Sequence, residues 1–391
     1  MTKLRHVPPT FFQIGMDLKA IILGVIFLVL IASTPTAAVH HHHHKTTSDL
    51  MSPQPPPLDA ACSVKLNNGA ARTIRIAFGF YGLPRHTCTS MNIHKVMFEP
   101  IGNDTRFNYE YDIFMHLNFV QFPSDPRSTD NGRNAIDPHA YRRYRACYYT
   151  VEDQTLIDKE LLPVLNGTLK KWGDYWRNPS GSTTINHLRA PKSQHKVADL
   201  IVAQEELQGT KYDIVVNARV DVLFTREIAA QRYHEIVSAF DDNKQAIVLT
   251  PDYAQWGGFN DRFSMGHRNS MIKVMRRLDA AVDYCSKTNS AINSEHFIRD
   301  YVVFHGMPFA EVNVGYNRRV RSDGSIHPPQ YGKRPKLNCT LDRLDKCKPG
   351  LADMNTLCSY STELAPATFD RSRLRGVNKI LWRKFRLQED A

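Results

Sequence analysis

The chain has 391 residues, of which 42% are hydrophobic and 10% aromatic; these values exclude a disordered polymer and allow a large buried core. A formal net charge of +11 favours anionic partners such as nucleotides, acidic glycans or lipid head groups. The sequence contains no zinc-finger spacing and no basic helix with interleaved aromatic residues, so nucleic-acid binding is disfavoured.

The N-terminus carries the pattern of a membrane-targeting segment. A basic stretch, residues 1–19, precedes the uncharged and largely apolar residues 20–39. This pattern is typical of a signal anchor, or of a signal peptide cleaved near Thr36 to Ala38. The length of the stretch before the apolar run favours the anchor. The sequence therefore predicts a single-pass type II protein of the Golgi or endoplasmic reticulum membrane, with a cytosolic tail and a lumenal catalytic domain.

Other segments agree with a lumenal location. Residues 40–70 begin with a histidine tract, continue as a polar and proline-rich stretch, and predict a disordered stem. Acceptor sequons for N-linked glycans begin at Asn103, Asn166 and Asn338. The C-terminal extension, residues 336–391, contains three closely spaced cysteines that predict a local disulfide: Cys339, Cys347 and Cys358.

The domain between these segments, residues 71–335, has the pattern of an α/β protein. Four runs rich in apolar and β-branched residues predict strands: Thr73 to His86, Tyr109 to Val120, Lys211 to Phe224 and Gln245 to Tyr253. Amphipathic helices are predicted over Ser193 to Gln208 and over Ser270 to Lys287. Alternating strands and helices predict a mainly parallel, Rossmann-type sheet flanked by helices, with ligands bound at the carboxyl ends of the strands.

Two opposite charges interrupt the apolar run from Lys211 to Phe224. Arg219 and Asp221 stand where a buried strand normally has apolar residues, and an unpaired buried charge is costly. One interpretation places Asp221 on a divalent cation that bridges two phosphates, with Arg219 on a phosphate. The alternative is a structural ion pair between Arg219 and Asp221 at the rim of the sheet.

The order of motifs along the chain resembles a known family. After the opening "FGFYGLPR", the strand "YDIVVNARVDVLF" is followed by "WGGFNDRFSMG" (Trp256 to Gly266), a helix, and "NSEHFIRDYVVFHGMPF" (Asn293 to Phe309). This order is similar to that of poorly characterised type II membrane glycosyltransferase-like proteins with the GT-A, nucleotide-diphospho-sugar transferase fold. The resemblance covers residues 73–321.

The resemblance implies a nucleotide-sugar donor, a glycan or glycoprotein acceptor, and a divalent cation, manganese or magnesium. By the resemblance, Asp221 corresponds to the catalytic-site acid that binds the metal and the diphosphate in an Asp-x-Asp element. Arg219 stands where the first acid of that element would be.

The segment "WGGFNDRFSMG" predicts a donor-binding loop. Trp256 offers a flat face to a sugar, while Gly257 and Gly258 allow the backbone to approach a ligand. Asn260 and Asp261 are predicted to bind sugar hydroxyl groups. The alternative is an ordinary turn, because glycine, asparagine and aspartate are common turn residues.

Residues further along the chain complete the predicted site. Glu295, at the start of a helix-like segment, is predicted to be the catalytic base for the acceptor hydroxyl, or alternatively a favourable first-turn charge. The loop "NRRVRSDGSIH" concentrates Arg318, Arg319, Arg321 and His327 and predicts a flexible segment that closes over the diphosphate. In it, Arg318 and Arg321 are predicted to bind the donor and His327 to complete the metal site. Arg85, after the first strand, is a further donor-binding candidate. For these residues the alternative is a solvated surface.

Two other functions remain open from the sequence. The main rival is a Golgi sulfotransferase: "GLPRHTCTS", Gly82 to Ser90, faintly resembles the phosphate-binding loop of sulfotransferases, but His86 and Cys88 interrupt the run of small residues that such a loop needs. A chain that lost the metal-binding acid pair would instead be a non-catalytic lumenal glycan-binding protein. The bound nucleotide separates the three: a uridine or guanosine diphosphate for glycosyl transfer, an adenosine bisphosphate for sulfation, and neither for the binding protein.

Overall fold

A computed structural model describes residues 63–67, 69–70, 72–86, 88–120, 124–125, 130–131, 136–146, 148–177, 181–224, 226–253, 257–314, 317–322 and 326–327. The predicted cytosolic tail and signal anchor, the predicted stem up to residue 62 and the cysteines of the C-terminal extension lie outside these residues. Within them, no helix combines the length and the apolar character needed to cross a bilayer.

The strands of the described part form one large sheet and two small ones. In chain order they are β1 Val64–Leu66, β2 Thr73–Gly82, β3 Asn108–Phe119, β4 Ser124–Asp125, β5 Asp130–Asn131, β6 Tyr148–Asp153, β7 Ile214–Arg219, β8 Val222–Phe224, β9 Val248–Pro251, β10 Phe263–His267, β11 Phe309–Val312, β12 Asn317–Val320 and β13 Ile326–His327. The β1 strand lies inside the segment predicted to be stem, where it pairs with β3.

The large sheet runs in the order β6, β3, β2, β7, β10, β9, β11, and β1 joins the same edge of β3 as β6. Neighbouring strands along this order are parallel, except that β10 is antiparallel to both β7 and β9. The predicted α/β architecture, a mainly parallel sheet flanked by helices, is confirmed.

Helices cover both faces of this sheet. They are α1 Cys88–Ile93, α2 Glu99–Gly102, α3 Tyr141–Tyr144, α4 Gln154–Trp172, α5 Ser182–Gln208, α6 Ala230–Asn243, α7 Arg268–Met275, α8 Ala281–Thr288 and α9 Ser294–Phe304, with a π-helix at His94–Phe98 and a 3₁₀-helix at Arg277–Ala280. On one face, Ile76 and Phe78 of β2 pack in a core shared with α1, α2 and α6. On the other, Ala77 and Tyr81 pack in a core shared with α5, α7 and α9.

Other segments also differ from the sequence predictions. The run from Lys211 to Phe224 is two strands, because the chain turns at Val220 and Asp221 and β8 then joins the small sheet β13-β12-β8. The predicted flexible loop contains β12 and β13, where backbone pairing fixes the chain and Val320 is fully buried. The predicted helix over Ser270 to Lys287 breaks after α7, since Met275 and Leu278 are buried in different cores.

Candidate functional site

The candidate site lies at the carboxyl ends of β2 and β7, where the chain leaves the large sheet. Tyr81 and Arg219 are directly opposite each other in the register of these strands. The amide of Val220 donates to the carbonyl oxygen of Tyr81 at 3.1 Å, and that of Arg219 donates to the carbonyl oxygen of Arg262 at 3.0 Å. The amide of Val320 then donates to the carbonyl oxygen of Asp221 at 2.8 Å. These bonds bring β2, β7, the start of β10 and the end of β12 together.

Asp221 is almost completely buried at this point and is bound by two arginines. Its Oδ1 and Oδ2 accept from Nε and Nη2 of Arg219, both at 2.8 Å, and Oδ2 also accepts from Nη1 of Arg85. Burial by itself raises the pKa of Asp221, but the charges of Arg219 and Arg85 outweigh it and hold that pKa well below its usual range. The ion pair considered as an alternative from the sequence is therefore present.

Two further arginines lie close to this pair and have no counter-ion in direct contact among the described residues. Arg262 is 7% exposed, and neither its side chain nor that of Arg319 forms a hydrogen bond or ion pair with another described residue. Burial, followed by the charges of Arg262 and Arg219, holds the pKa of Arg319 well below its usual range. We refer to Arg85, Arg219, Arg262 and Arg319 as the arginine cluster.

A pair of carboxyl groups lies beside the arginine cluster. Oγ of Ser294, the first residue of α9, lies 2.9 Å from Oδ2 of Asp261 and 3.0 Å from Oε2 of Glu295. Because a serine hydroxyl carries one proton, two simultaneous hydrogen bonds require a second proton on one carboxyl group. Burial and then the charge of Asp261 raise the pKa of Glu295 to about 7. Glu295 therefore gains and loses a proton near neutral pH.

Asp261 stays ionised because of the arginine cluster. Burial raises its pKa, but Arg219, Arg262 and Arg319 outweigh that effect, and the net shift is downward. The two carboxyl groups thus have separate pKa values, an arrangement in which one can exchange a proton while the other keeps its charge.

The glycines of the predicted donor-binding loop allow the loop before β10 to lie on α9. A Cβ added at Gly258 would lie 2.0 Å from the backbone carbonyl of Glu295, and one at Gly257 would lie 2.8 Å from Nε2 of His296. The amide of Phe259 donates to the carbonyl oxygen of Glu295 at 2.9 Å. This close contact is what places Asp261 beside Glu295.

The side chain of Asn260 forms hydrogen bonds to backbone groups of the same loop. Its Nδ2 donates to the carbonyl oxygen of Tyr253 at 3.1 Å, and its Oδ1 accepts from the amide of Arg262 at 2.9 Å. The side chain is 2% exposed. The predicted sugar-binding amide is therefore engaged by backbone groups, and its contribution is to fix Asp261 and Arg262. Trp256 lies outside the described residues.

Two buried polar side chains near Asp261 are not predicted from the sequence as part of the site. Oη of Tyr81 donates to the carbonyl oxygen of Asp261 at 2.5 Å. Arg277 is 1% exposed and donates through Nη1 to Oε1 of Gln194 at 2.5 Å, while its Nε and Nη2 have no hydrogen-bond partner among the described residues. Burial lowers the pKa of Arg277 to about 10, partly offset by Tyr81 and Asp261. In the sequence, Arg277 looks like a surface charge of an amphipathic helix.

Comparison with known proteins gives one family match. A family model described as a domain of unknown function (DUF7796) matches residues 195–337. That segment contains Arg219, Asp221, Asp261 and Glu295. No curated protein matches the chain. Among solved structures, the crystal structure of the apo form of mouse xyloside xylosyltransferase 1 is similar, with 12% identity and a TM-score of 0.30, over 61% of this chain and 85% of that chain.

The residues of the site suit a divalent cation poorly. Magnesium and manganese prefer several oxygen ligands, and both carboxylate oxygens of Asp221 already accept from arginines. Within the described part of the chain, no three histidine, cysteine, aspartate or glutamate side chains lie close enough together to hold a metal ion. The groups that surround Asp221 are cationic, and they favour an anion.

The remaining predicted residues lie on β12 and β13. Arg318 pairs with Leu223 of β8 in the backbone register, and His327 pairs with Arg319. Arg321 follows β12 and is 1% exposed. The structure thus brings Arg85, Arg219 and Asp221 into direct contact and places Asp261 and Glu295 beside them, whereas the side chains of Arg318 and His327 lie outside the described residues.

Proposed function

We propose that this chain is a glycosyltransferase that moves a sugar from a nucleotide diphosphate sugar to a hydroxyl group of a glycan or glycoprotein. The observation that carries the proposal is the arginine cluster at the carboxyl ends of β2 and β7, next to Glu295, a carboxyl group with a pKa of about 7. The first feature suits a diphosphate leaving group and the second suits a base for the acceptor hydroxyl.

The reaction follows from these two features in a direct displacement. The acceptor hydroxyl gives its proton to the carboxylate of Glu295 while its oxygen bonds to the anomeric carbon of the sugar. The bond between that carbon and the diphosphate oxygen breaks, and the electron pair leaves with the nucleoside diphosphate. Guanidinium groups stabilise the charge that develops on the diphosphate, which is the larger part of the catalytic effect expected from such a site.

The proposed place of the reaction is the lumen of the Golgi or the endoplasmic reticulum. It is supported by the basic residues 1–19, the apolar residues 20–39 and the sequons. In this arrangement the domain reaches its glycan acceptors from a membrane anchor.

The test is a nucleotide-sugar screen on the full chain in detergent. We expect a uridine or guanosine diphosphate sugar to raise the melting temperature and to give nucleoside diphosphate as a product when an acceptor glycan is added. Stabilisation by adenosine 3′,5′-bisphosphate alone would favour the sulfotransferase, and stabilisation by glycans without any nucleotide would favour the binding protein.

A further inference from the structure

The site has an excess of buried positive charge. Among the described residues, the four guanidinium groups of the arginine cluster outnumber the ionised carboxylates of Asp221 and Asp261 two to one. A buried charge without a counter-ion is unfavourable because it loses its hydration. A bound anion would remove this excess.

The arginines of the cluster are not equivalent. Arg85 and Arg219 donate to Asp221, so their charge is compensated within the protein. Arg262 is more than nine-tenths buried and has no side-chain partner among the described residues, and the Nε atom of Arg319 is buried without a hydrogen-bond partner. These two side chains have donors available for a ligand.

The same geometry opposes a divalent cation. An ion placed next to Asp221 would compete with Arg219 and Arg85 for the carboxylate oxygens, and it would lie among like charges. A diphosphate has the opposite sign and several acceptor oxygens, which guanidinium groups bind with two parallel hydrogen bonds.

We propose that Arg262 and Arg319 bind the diphosphate of the donor directly and that diphosphate binding needs no divalent cation. This inference rests on the proposed glycosyltransferase function. In it, two arginine side chains bind the diphosphate, which the family resemblance would assign to a metal ion. Asp221 then acts as a positioning residue, which holds Arg219 and Arg85 at the edge of the sheet.

The experiment measures binding of inorganic pyrophosphate, and then of uridine and guanosine diphosphates, to the full chain in detergent by calorimetry. Each titration is done in EDTA and again with manganese chloride. We expect binding in EDTA, less than about a twofold change in affinity with manganese, and weaker binding at high salt. Arg262→Gln and Arg319→Gln should each lower pyrophosphate affinity roughly ten- to a hundredfold, the loss typical of a hydrogen bond to a charged group.

Three variants and the melting temperature distinguish a loss of ligand contacts from a loss of charge or of folding. Arg319→Lys keeps the charge and should retain part of the affinity. Arg276→Gln removes an arginine that is paired with Asp199 at the surface and should leave pyrophosphate binding unchanged. Without ligand, Arg262→Gln should melt close to the temperature of the parent, because the side chain of Arg262 makes no hydrogen bond to another described residue; a structural arginine would instead lower the melting temperature.

The outcomes separate this inference from the proposed function. Binding of nucleoside diphosphate only in the presence of manganese would overturn the inference and leave the glycosyltransferase proposal standing. Absence of pyrophosphate and nucleotide binding under both conditions would overturn both.

Discussion

At the scale of single residues, Asp221 decides between two accounts of the site. In the structure it is a buried carboxylate with three arginine hydrogen bonds. We expect Asp221→Asn to lower the free energy of unfolding by about 3 kcal/mol, because it removes the buried charge that compensates Arg219 and Arg85. Pyrophosphate affinity should stay the same or rise.

The paired measurement is the melting temperature and the calorimetric affinity of Asp221→Asn and of Arg219→Gln. A variant Asp221→Asn that keeps its melting temperature but loses nucleotide affinity by orders of magnitude would restore the metal-binding assignment made from the sequence.

Glu295 gives a second prediction at this scale, because its pKa of about 7 lies in the working range. As a base it must be ionised, so the rate of transfer should rise as the pH passes through 7. Glu295→Gln should lower that rate by about 10² to 10⁴ and abolish this part of the pH profile. Glu99→Gln, which changes an exposed first-turn glutamate of α2, is the control.

The raised pKa of Glu295 also determines whether Glu295→Gln stabilises or destabilises the protein at a given pH. The folded-state pKa of Glu295 is raised, so its contribution to stability is present below about pH 4.5 and is lost as the pH rises through about 7. Glu295→Gln should therefore melt at a higher temperature than the parent at pH 8, with the difference shrinking at pH 5. A lower melting temperature at pH 8 would contradict the raised pKa.

At the scale of elements, the contact between the loop before β10 and the first turn of α9 places Asp261 next to Glu295. Gly258→Ala would put a Cβ 2.0 Å from backbone atoms of Glu295, which cannot move as a flexible side chain can. We expect a loss of about 1–3 kcal/mol in the free energy of unfolding and a lower transfer rate.

The matched change is Gly102→Ala in α2, where an added Cβ meets nothing within 4 Å. It should be neutral or slightly stabilising, as expected for alanine in a helix. Equal effects of the two substitutions would show that the loop does not depend on this contact.

Elements with a continuous apolar pattern could be predicted from the sequence, and elements defined by distant partners could not. β2 and β3 were found because long runs of apolar residues are buried on both faces. The sequence predicts a loop where β10 lies, since "FSMGH" is short and contains glycine, and only the pairing of this segment with β7 and β9 makes it a strand.

The site residues likewise include some that the sequence predicts and some that it does not. Arg219 and Asp221 were recognisable as charges inside an apolar run, and Glu295 as a charge at the start of a helix. The roles of Arg262, Arg277 and Ser294 depend on packing between elements far apart in the chain, and local sequence contains no signal for it. The placement of Tyr81 against Asp261 likewise requires the completed sheet.

At the scale of the whole molecule, we expect a membrane protein with a lumenal domain. Asn103 and Asn166 are exposed in the structure, so glycans on them would not disturb the core. Membranes that contain the full chain should protect the domain from protease, and glycosidase treatment should increase its gel mobility. Asn103→Gln should make this increase in mobility smaller by the contribution of one glycan. Recovery of a soluble chain that begins near Val39 would show that the anchor is cleaved.

Because β10 is antiparallel to β7 and β9, two different kinds of turn form the walls of the site. In a parallel strand the segment that follows the strand reaches the carboxyl edge, but β10 brings there the segment that precedes it, with Arg262 bonded to the end of β7. One wall of the site therefore comes from turns that leave β2 and β7, and the other from the turn that enters β10. Exchanging residues 257–261 for those of a related chain would therefore alter the wall that carries Asp261, while Arg262, one of the two proposed diphosphate ligands, stays in place at the end of β7.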